Sequence, residues 1–440
     1  MTLAVLIASV VLVSAESPKV FAQVQQKNIV FVLADDMRAD DLAYMDRLVG
    51  WSQGGTTFEN VYHTNPQCCP ARTTMLTGKY SHNHGVEKNP VGSKLSGYQV
   101  FKRSGAGASY LPRWLDQAGY ATGVFGKFLN GYEDSLPPPP GFDVAKISKS
   151  PRGDPGMTDR AEQFFRANAA ERPVFAAVWL RSPHGPLDQP ARYDGDFDGV
   201  QRHLTPAYDE ADVSEKVGFI RNLGRINTDA DRNLTNTWRT RLEMSRRIED
   251  ATLQMTQAAL DLGELENTIF VIASDNGFFL GEHRLRCCKA LPYDASSKNF
   301  LVMKGPGIEA QTRSELVGDN DFTPTLAELA GVSVPGGYNM DGRSLVPLLR
   351  GEIVPSWRDA LLIEHPAPPI NGDQKPGYKA VKTASGELYI EWENGHVEHY
   401  ADEYQTHPAN DPVRQAELEA KLDALRDCAA ESCRTAEDAP

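Results

Sequence analysis

Three short runs constrain this chain more than any other feature. Asn28 to Ala34 (NIVFVLA), Pro173 to Leu180 (PVFAAVWL) and Thr268 to Ala273 (TIFVIA) are continuously apolar and rich in β-branched and aromatic residues. A run without polar alternation predicts a strand buried on both faces, as in a mostly parallel sheet covered by helices on each side. Between the second and third runs, Met244, Ile248, Ala251, Met255, Ala258 and Leu262 recur at intervals of three and four, which predicts an amphipathic helix. Strand, helix and strand in this order specify a doubly wound α/β arrangement. Such sheets place their ligands at the C-terminal edge of the strands.

The first and third runs lead into polar residues at that edge: Asp35-Asp36 and Asp275-Asn276-Gly277. Either pair alone reads equally well as a turn or a helix cap. If the two strands are neighbours, however, four oxygen-bearing side chains converge on one point. Hard oxygen ligands select calcium or magnesium over zinc.

Elsewhere, Leu136 to Gly141 (LPPPPG) is a stiff surface connection, and Asp194 to Asn236 reads as a polar, loop-rich insertion. Beyond about Pro355 the pattern changes. Residues 378–383, 388–392 and 397–401 alternate and are joined by Ser385-Gly386 and Asn394-Gly395, which predicts an antiparallel meander. Asp411-Pro412 then opens a helix with Leu418, Leu422 and Leu425 on one face. The expected organisation is a large domain over residues 28–354 and a small α+β subdomain over residues 355–440.

Residues 1–22 read as a signal peptide, with an apolar stretch (MTLAVLIASVVLVSA) too short to span a bilayer. The expected location is therefore secreted or periplasmic, without stable membrane insertion. The formal net charge of -14 argues against a nucleic-acid partner. In an oxidising compartment Cys428 and Cys433 can bridge a short terminal loop. The adjacent pairs Cys68-Cys69 and Cys287-Cys288 do not form a disulfide framework by spacing, and no zinc spacing is present.

The segment NPQCCPARTTMLTGKYSHNHG, residues 65–85, carries the most chemistry. Pro70 suits a helix's first turn, which puts Cys68 at the positive helix end with Arg72 one turn later. An anion placed there is favoured twice over. Cys-x-Pro-x-Arg followed by Thr-Gly resembles the signature of type I sulfatases, the formylglycine-dependent family. CCPARTTMLTGKYSHNH is similar in particular to the branch of N-acetylglucosamine-6-sulfatases and heparan endosulfatases. The resemblance extends in order through LADDMRADD, GYATGVFGKFLNGY, SPHGP and SDNGFFLGEHRLRCCK.

This resemblance implies an alkaline-phosphatase-like large domain, with a central mostly parallel sheet flanked by helices and a small C-terminal antiparallel-sheet subdomain. It also implies that the formylglycine-generating enzyme oxidises Cys68 to formylglycine. One oxygen of the hydrated aldehyde then attacks sulfur, and the second hydroxyl expels sulfate and restores the aldehyde. Asp35, Asp36, Asp275 and Asn276, with the oxygen at position 68, would hold calcium. Arg72, Lys127 and Lys289 would supply positive charge to the sulfate oxygens, and His184 a proton or a sulfate contact. The implied substrate is a sulfated carbohydrate, 6-O-sulfated N-acetylglucosamine foremost.

Three departures from the common pattern stand out. Leu129 and Asn130 occupy the place where many members carry a histidine after the lysine, so Asn130 is a candidate polar substitute. Cys287-Cys288 precede Lys289 where the related branch has an aromatic residue and a glycine, so a vicinal disulfide is one reading there. Ala71 stands where serine is frequent. His82, His84 and His283 lie near the motifs as either pocket-lining or structural residues. The alternatives are a formylglycine-dependent phosphonate monoester or phosphodiester hydrolase, and a non-catalytic carbohydrate-binding protein. Asn276, rather than histidine, at the second metal strand favours the sulfatase.

Overall fold

A computed structural model describes residues 26–89, 95–370 and 373–439. The signal peptide expected over residues 1–22 lies outside them. The three apolar runs form strands in one large sheet, whose nine strands among the described residues are β1 (Asn28–Asp35), β2 (Thr56–Tyr62), β3 (Ala121–Gly126), β4 (Val144–Ile147), β5 (Val174–Pro183), β6 (Thr268–Ser274), β7 (Lys298–Lys304), β8 (Gln311–Arg313) and β9 (Val317–Gly318). Their order is β4-β3-β5-β1-β6-β7-β2-β8, with β9 also beside β2. The run from β4 to β6 is parallel throughout, and β7 is antiparallel to both of its neighbours.

The alternation of β1 divides the core between the two faces of the sheet. Ile29, Phe31 and Leu33 pack with Met75 and Leu76 of the helix Cys68–Thr77 and with Phe322 and Leu326 of the helix Phe322–Leu329. Val30, Val32 and Ala34 pack against Leu242, Ile248 and Met255 of the helix Thr228–Asp261, and near Ala161 and Phe165 of the helix Asp154–Asn168. Burial on both faces is why these strands show no polar alternation.

The segment expected as a loop-rich insertion over Asp194 to Asn236 is corrected in its second half. From Thr228 it already belongs to the long helix, whose first turn is capped by Asn227 accepting a hydrogen bond from Ala230 N at 2.9 Å. Leu234 and Trp238 continue the buried stripe of Leu242 one turn at a time, so the helix gains core contact from its start.

The C-terminal meander forms as expected and gains a fourth strand. Ala360–His365, Tyr378–Thr383, Leu388–Trp392 and Val397–Tyr400 make an antiparallel sheet in that order. Leu418, Leu422 and Leu425 of the helix Pro412–Leu425 are buried in the core shared with this sheet. Cys428 and Cys433 are disulfide-bonded, as are Cys287 and Cys288, while Cys68 and Cys69 are free thiols. No helix among the described residues is long and apolar enough to cross a membrane.

A buried guanidinium ties the two sheets together. Arg358, just before the strand Ala360–His365, donates to both oxygens of Asp321 at 2.5 and 2.8 Å and to Glu437 of the last helix at 3.0 Å. Removing it leaves the buried Asp321 without its cation and Glu437 with Arg343 alone. Arg358→Met is therefore expected to destabilise the fold by about 3–5 kcal/mol, measured by urea denaturation.

Candidate active site

The site lies where β1, β5, β6 and β3 end side by side. β1 sits between β5 and β6, so Asp35-Asp36 and Asp275-Asn276 emerge from neighbouring strands. Asp36 has a positive φ of 72°, and its backbone N–H donates to Asp275 Oδ1 at 3.1 Å. That turn brings the two acidic strand ends together.

The helix Cys68–Thr77 also starts at this place, with Cys68 as its first residue and Gly78 closing it in the left-handed conformation. Every residue of this helix is buried, which anchors Cys68 within the fold. The Cys68 thiol donates to Asp35 Oδ1 at 3.4 Å and accepts from Lys289 Nζ at 2.9 Å. Burial first, then the Asp35 charge, push its pKa up to about 12, so the unmodified thiol is a poor nucleophile.

Arg72 extends from the next turn. Its Nε donates to Asp275 Oδ2 at 2.8 Å, its Nη1 to the Lys127 carbonyl at 2.5 Å, and its guanidinium lies over the Trp179 ring at 5.4 Å. Lys127 Nζ pairs with Asp35, and Lys289 Nζ with Asp36. Burial opposes ionisation of Asp35, but Lys127, His184, Arg72 and Lys289 outweigh it and hold that carboxyl well below its ordinary range. Asp36 is lowered in the same way, mainly by Lys289 against burial. Asp275 moves upward, through burial and the Asp35 charge.

Lys127 depends on Gly126. With φ at +116°, a Cβ on Gly126 would stand 2.0 Å from the Trp179 carbonyl oxygen. Glycine alone lets β3 pass that close to β5 before the lysine turns into the site. On the other rim, His184 Nδ1 donates to the Gly185 carbonyl at 2.5 Å, and Nε2 faces Asp36 Oδ2 at 3.8 Å.

The sequence-predicted residues are thus brought to one place. Ligand atoms of Asp35, Asp36, Cys68 and His184 lie within 4.8 Å of one another. Asp275 stands beside that cluster, its two oxygens accepting from Asp36 N and Arg72 Nε. Asn276 adjoins it, donating from Nδ2 to Asp36 Oδ1 at 2.7 Å, while its own Oδ1 is buried without a donor. Carboxylates and a buried amide oxygen left unpaired form a donor set that fits a hard divalent cation.

Other neighbours do not take part. Asn130 has an exposed side chain and contributes through its backbone, its N–H donating to Cys69 Sγ at 3.3 Å and its carbonyl accepting from Tyr98 N at 3.0 Å. Leu129 is packed into the aromatic core, so no substitute for the missing histidine arises there. His82 is held by Glu364 and the Cys428 carbonyl, His84 by Thr74, and His283 by Glu210.

Sequence reasoning missed Arg241. From the long helix its guanidinium donates to the Pro183 carbonyl at 3.0 Å and to the Asp36 carbonyl, and it covers the Phe278 ring at 4.2 Å. One buried cation therefore braces the loops after β1, β5 and β6 together. Its signal in the sequence was a charge standing beside Trp238 and Leu242 on a core-facing stripe.

If Arg241 positions these loops, Arg241→Gln lowers affinity for a divalent cation by about 10–100-fold while the circular-dichroism spectrum keeps its shape. Calorimetric titration of the purified chain measures this.

The family model "Sulfatase" matches residues 27–332, and the model "N-sulphoglucosamine sulphohydrolase, C-terminal" matches residues 281–395. The chain is 31% identical over 381 residues to the "Extracellular sulfatase SULF-1 homolog" of Drosophila melanogaster, covering 78% of this chain and 33% of that one. It is 27% identical over 388 residues to the N-acetylglucosamine-6-sulfatase of Homo sapiens, covering 79% and 68%. The chain thus spans about a third and about two thirds of these two relatives' lengths. Among solved structures, one of a protein in complex with its substrate D-glucosamine-2-N,6-O-disulfate superposes with a TM-score of 0.76 at 20% identity, over 94% of this chain and 99% of that one. The phosphonate monoester hydrolase of Agrobacterium radiobacter gives 0.70 at 19% identity, over 91% and 95%. These likenesses establish the alkaline-phosphatase-like architecture, and the match over residues 27–332 establishes that the chain belongs to the sulfatase family.

Proposed function

We propose that this protein hydrolyses sulfate esters of carbohydrates, 6-O-sulfated N-acetylglucosamine or a related glycan foremost, with formylglycine at position 68 and calcium. The observation that carries the reading is Cys68 itself. It opens a buried helix beside two carboxylates, with Lys289 Nζ at 2.9 Å from its sulfur and Arg72 one turn away. Membership of the sulfatase family supports the reaction class, and the N-acetylglucosamine-6-sulfatases among the relatives support the sugar.

Conversion of Cys68 to formylglycine supplies two hydroxyls on one carbon, one to attack sulfur and one to release sulfate afterwards. Asp35, Asp36, Asp275, Asn276 and the oxygen at position 68 would hold calcium, with Arg72 and Asp36 N fixing the Asp275 carboxylate. Calcium would supply charge that lowers the nucleophile's pKa and draws electron density from the sulfate. Arg72 cannot rotate away, being held by Asp275 and the Lys127 carbonyl, so its charge is preorganised for sulfate oxygens. Lys127 adds charge on one side of the nucleophile and Lys289 on the other. His184 Nδ1 is committed to the Gly185 carbonyl, so Nε2 is the atom left to carry a proton to the leaving oxygen.

In this reading residues 28–354 carry the chemistry and residues 355–440 pack against the segment that leads into Cys68. The formylglycine-generating enzyme must meet Cys68 before the chain packs, because Cys68 and its helix are buried in the fold. The extracellular relatives, the Cys428–Cys433 bridge and the signal-peptide pattern of residues 1–22 support export.

Two tests decide the matter. Peptide mass across Cys68 is expected to show the aldehyde in place of the thiol, and Cys68→Ser is expected to lower turnover of an aryl sulfate by on the order of a thousandfold or more. Chelation is expected to abolish sulfate release and to lower the melting temperature, with calcium restoring both. A matched aryl phosphonate hydrolysed faster than the aryl sulfate would reassign the substrate class.

A further inference from the structure

Each acidic residue of the site has its cation: Asp275 has Arg72, Asp35 has Lys127 and Asp36 has Lys289. A fourth cation at the same rim has no such partner. Arg181, near the end of β5, is rigidly held. Its backbone N–H donates to Asp154 Oδ1 at 3.1 Å, its carbonyl accepts from His184 N at 2.7 Å, and its Nε donates to the Ser148 carbonyl at 2.6 Å. Ser148 N in turn donates to the Gly126 carbonyl at 2.7 Å, which sets the guanidinium across the end of β3 beside Lys127.

Only one edge of that guanidinium is used. Nη1 and Nη2 have no hydrogen-bond or ion-pair partner among the described residues. The nearby Asp154 accepts from Ser182 N, Ser182 Oγ and the Arg181 backbone instead. Burial, with Arg72 adding repulsion, lowers the Arg181 pKa despite the Asp35 and Asp154 charges. A half-buried cation fixed along one edge, with two donors free, is preorganised for a planar or tetrahedral anion.

Resting on the sulfatase reading above, we propose that Arg181 binds a second anionic group of the substrate, a carboxylate or a sulfate on the same sugar or its neighbour, beside the ester that is cleaved. The residue is then a specificity determinant. It distinguishes multiply charged glycans from singly sulfated ones, because an unmet cation at the rim favours the substrate that neutralises it.

The test compares kcat/KM of the calcium-loaded, converted full chain on three probes. These are N-acetylglucosamine 6-sulfate, glucosamine N,6-disulfate, and a disaccharide joining a uronate to 6-sulfated N-acetylglucosamine. The wild type is expected to prefer at least one of the doubly charged probes. In Arg181→Gln that preference is expected to collapse by about 10–100-fold, chiefly through KM, with Arg181→Lys recovering part of it. Loss on the disulfate alone identifies a sulfate as the partner, and loss on the disaccharide alone identifies a carboxylate. No wild-type preference, or an equal loss on all three probes, overturns the proposal. A converted wild type that releases sulfate from none of them overturns the sulfatase reading itself.

Discussion

The structure turns on burying three carboxylates side by side at the ends of two neighbouring strands. Asp35, Asp36 and Asp275 are all removed from solvent, and desolvation of ions costs on the order of several kcal/mol each. The arrangement persists because Arg72, Lys127 and Lys289 arrive from three separate parts of the chain, each against a named carboxylate. Each of those cations is itself positioned by packing. Arg72 stands on a wholly buried helix, Lys127 follows a glycine that lets two strands touch, and Lys289 follows the disulfide-bonded Cys287-Cys288 pair. The same balance of charge creates a place where an anion can be held and attacked.

That balance links the fold to the chemistry through a small set of braces. Arg241 holds the carbonyls at the ends of β1 and β5 and covers Phe278 after β6, so the three loops are tied together. Asp154 fixes Arg181 and Ser182, and thereby the approach to His184. Arg358 joins the C-terminal sheet and the last helix to the body of the large sheet. The small sheet reaches the nucleophile's surroundings as well. Glu364 N donates to the Thr64 carbonyl at 2.8 Å, and His365 Nε2 lies 3.2 Å from Gln67 Oε1, next to Cys68. The C-terminal strands therefore pack against the segment that leads into Cys68.

Much of this was legible beforehand. The apolar runs of β1, β5 and β6 announced a doubly covered parallel sheet, and the alternating residues beyond Tyr378 announced an antiparallel one. Periodicity could not reveal the fourth strand, Ala360–His365, because it is buried along its whole length and shows no alternation. It also missed the early turns of the long helix, where polar residues outnumber the two apolar positions, Leu234 and Trp238, that decide its burial. Arg241 and Arg181 were passed over for a related reason. Each carries its role through backbone carbonyls or an open edge, and neither leaves a spacing motif.

What the sequence determined by itself was the set of chemical groups and the edge of the sheet on which they would gather. That followed from strand patterns and from motifs that read locally, within a few residues. What only the tertiary structure decided was how those groups pair. It placed His184 with Asp35, Asp36 and Cys68, turned Asp275 toward Arg72, and left Arg181 without a carboxylate. The physical reason is that charge pairing at a buried site depends on distances of a few ångströms between residues far apart in the chain. Such distances are fixed by how helices and strands pack against one another, and no local pattern encodes them.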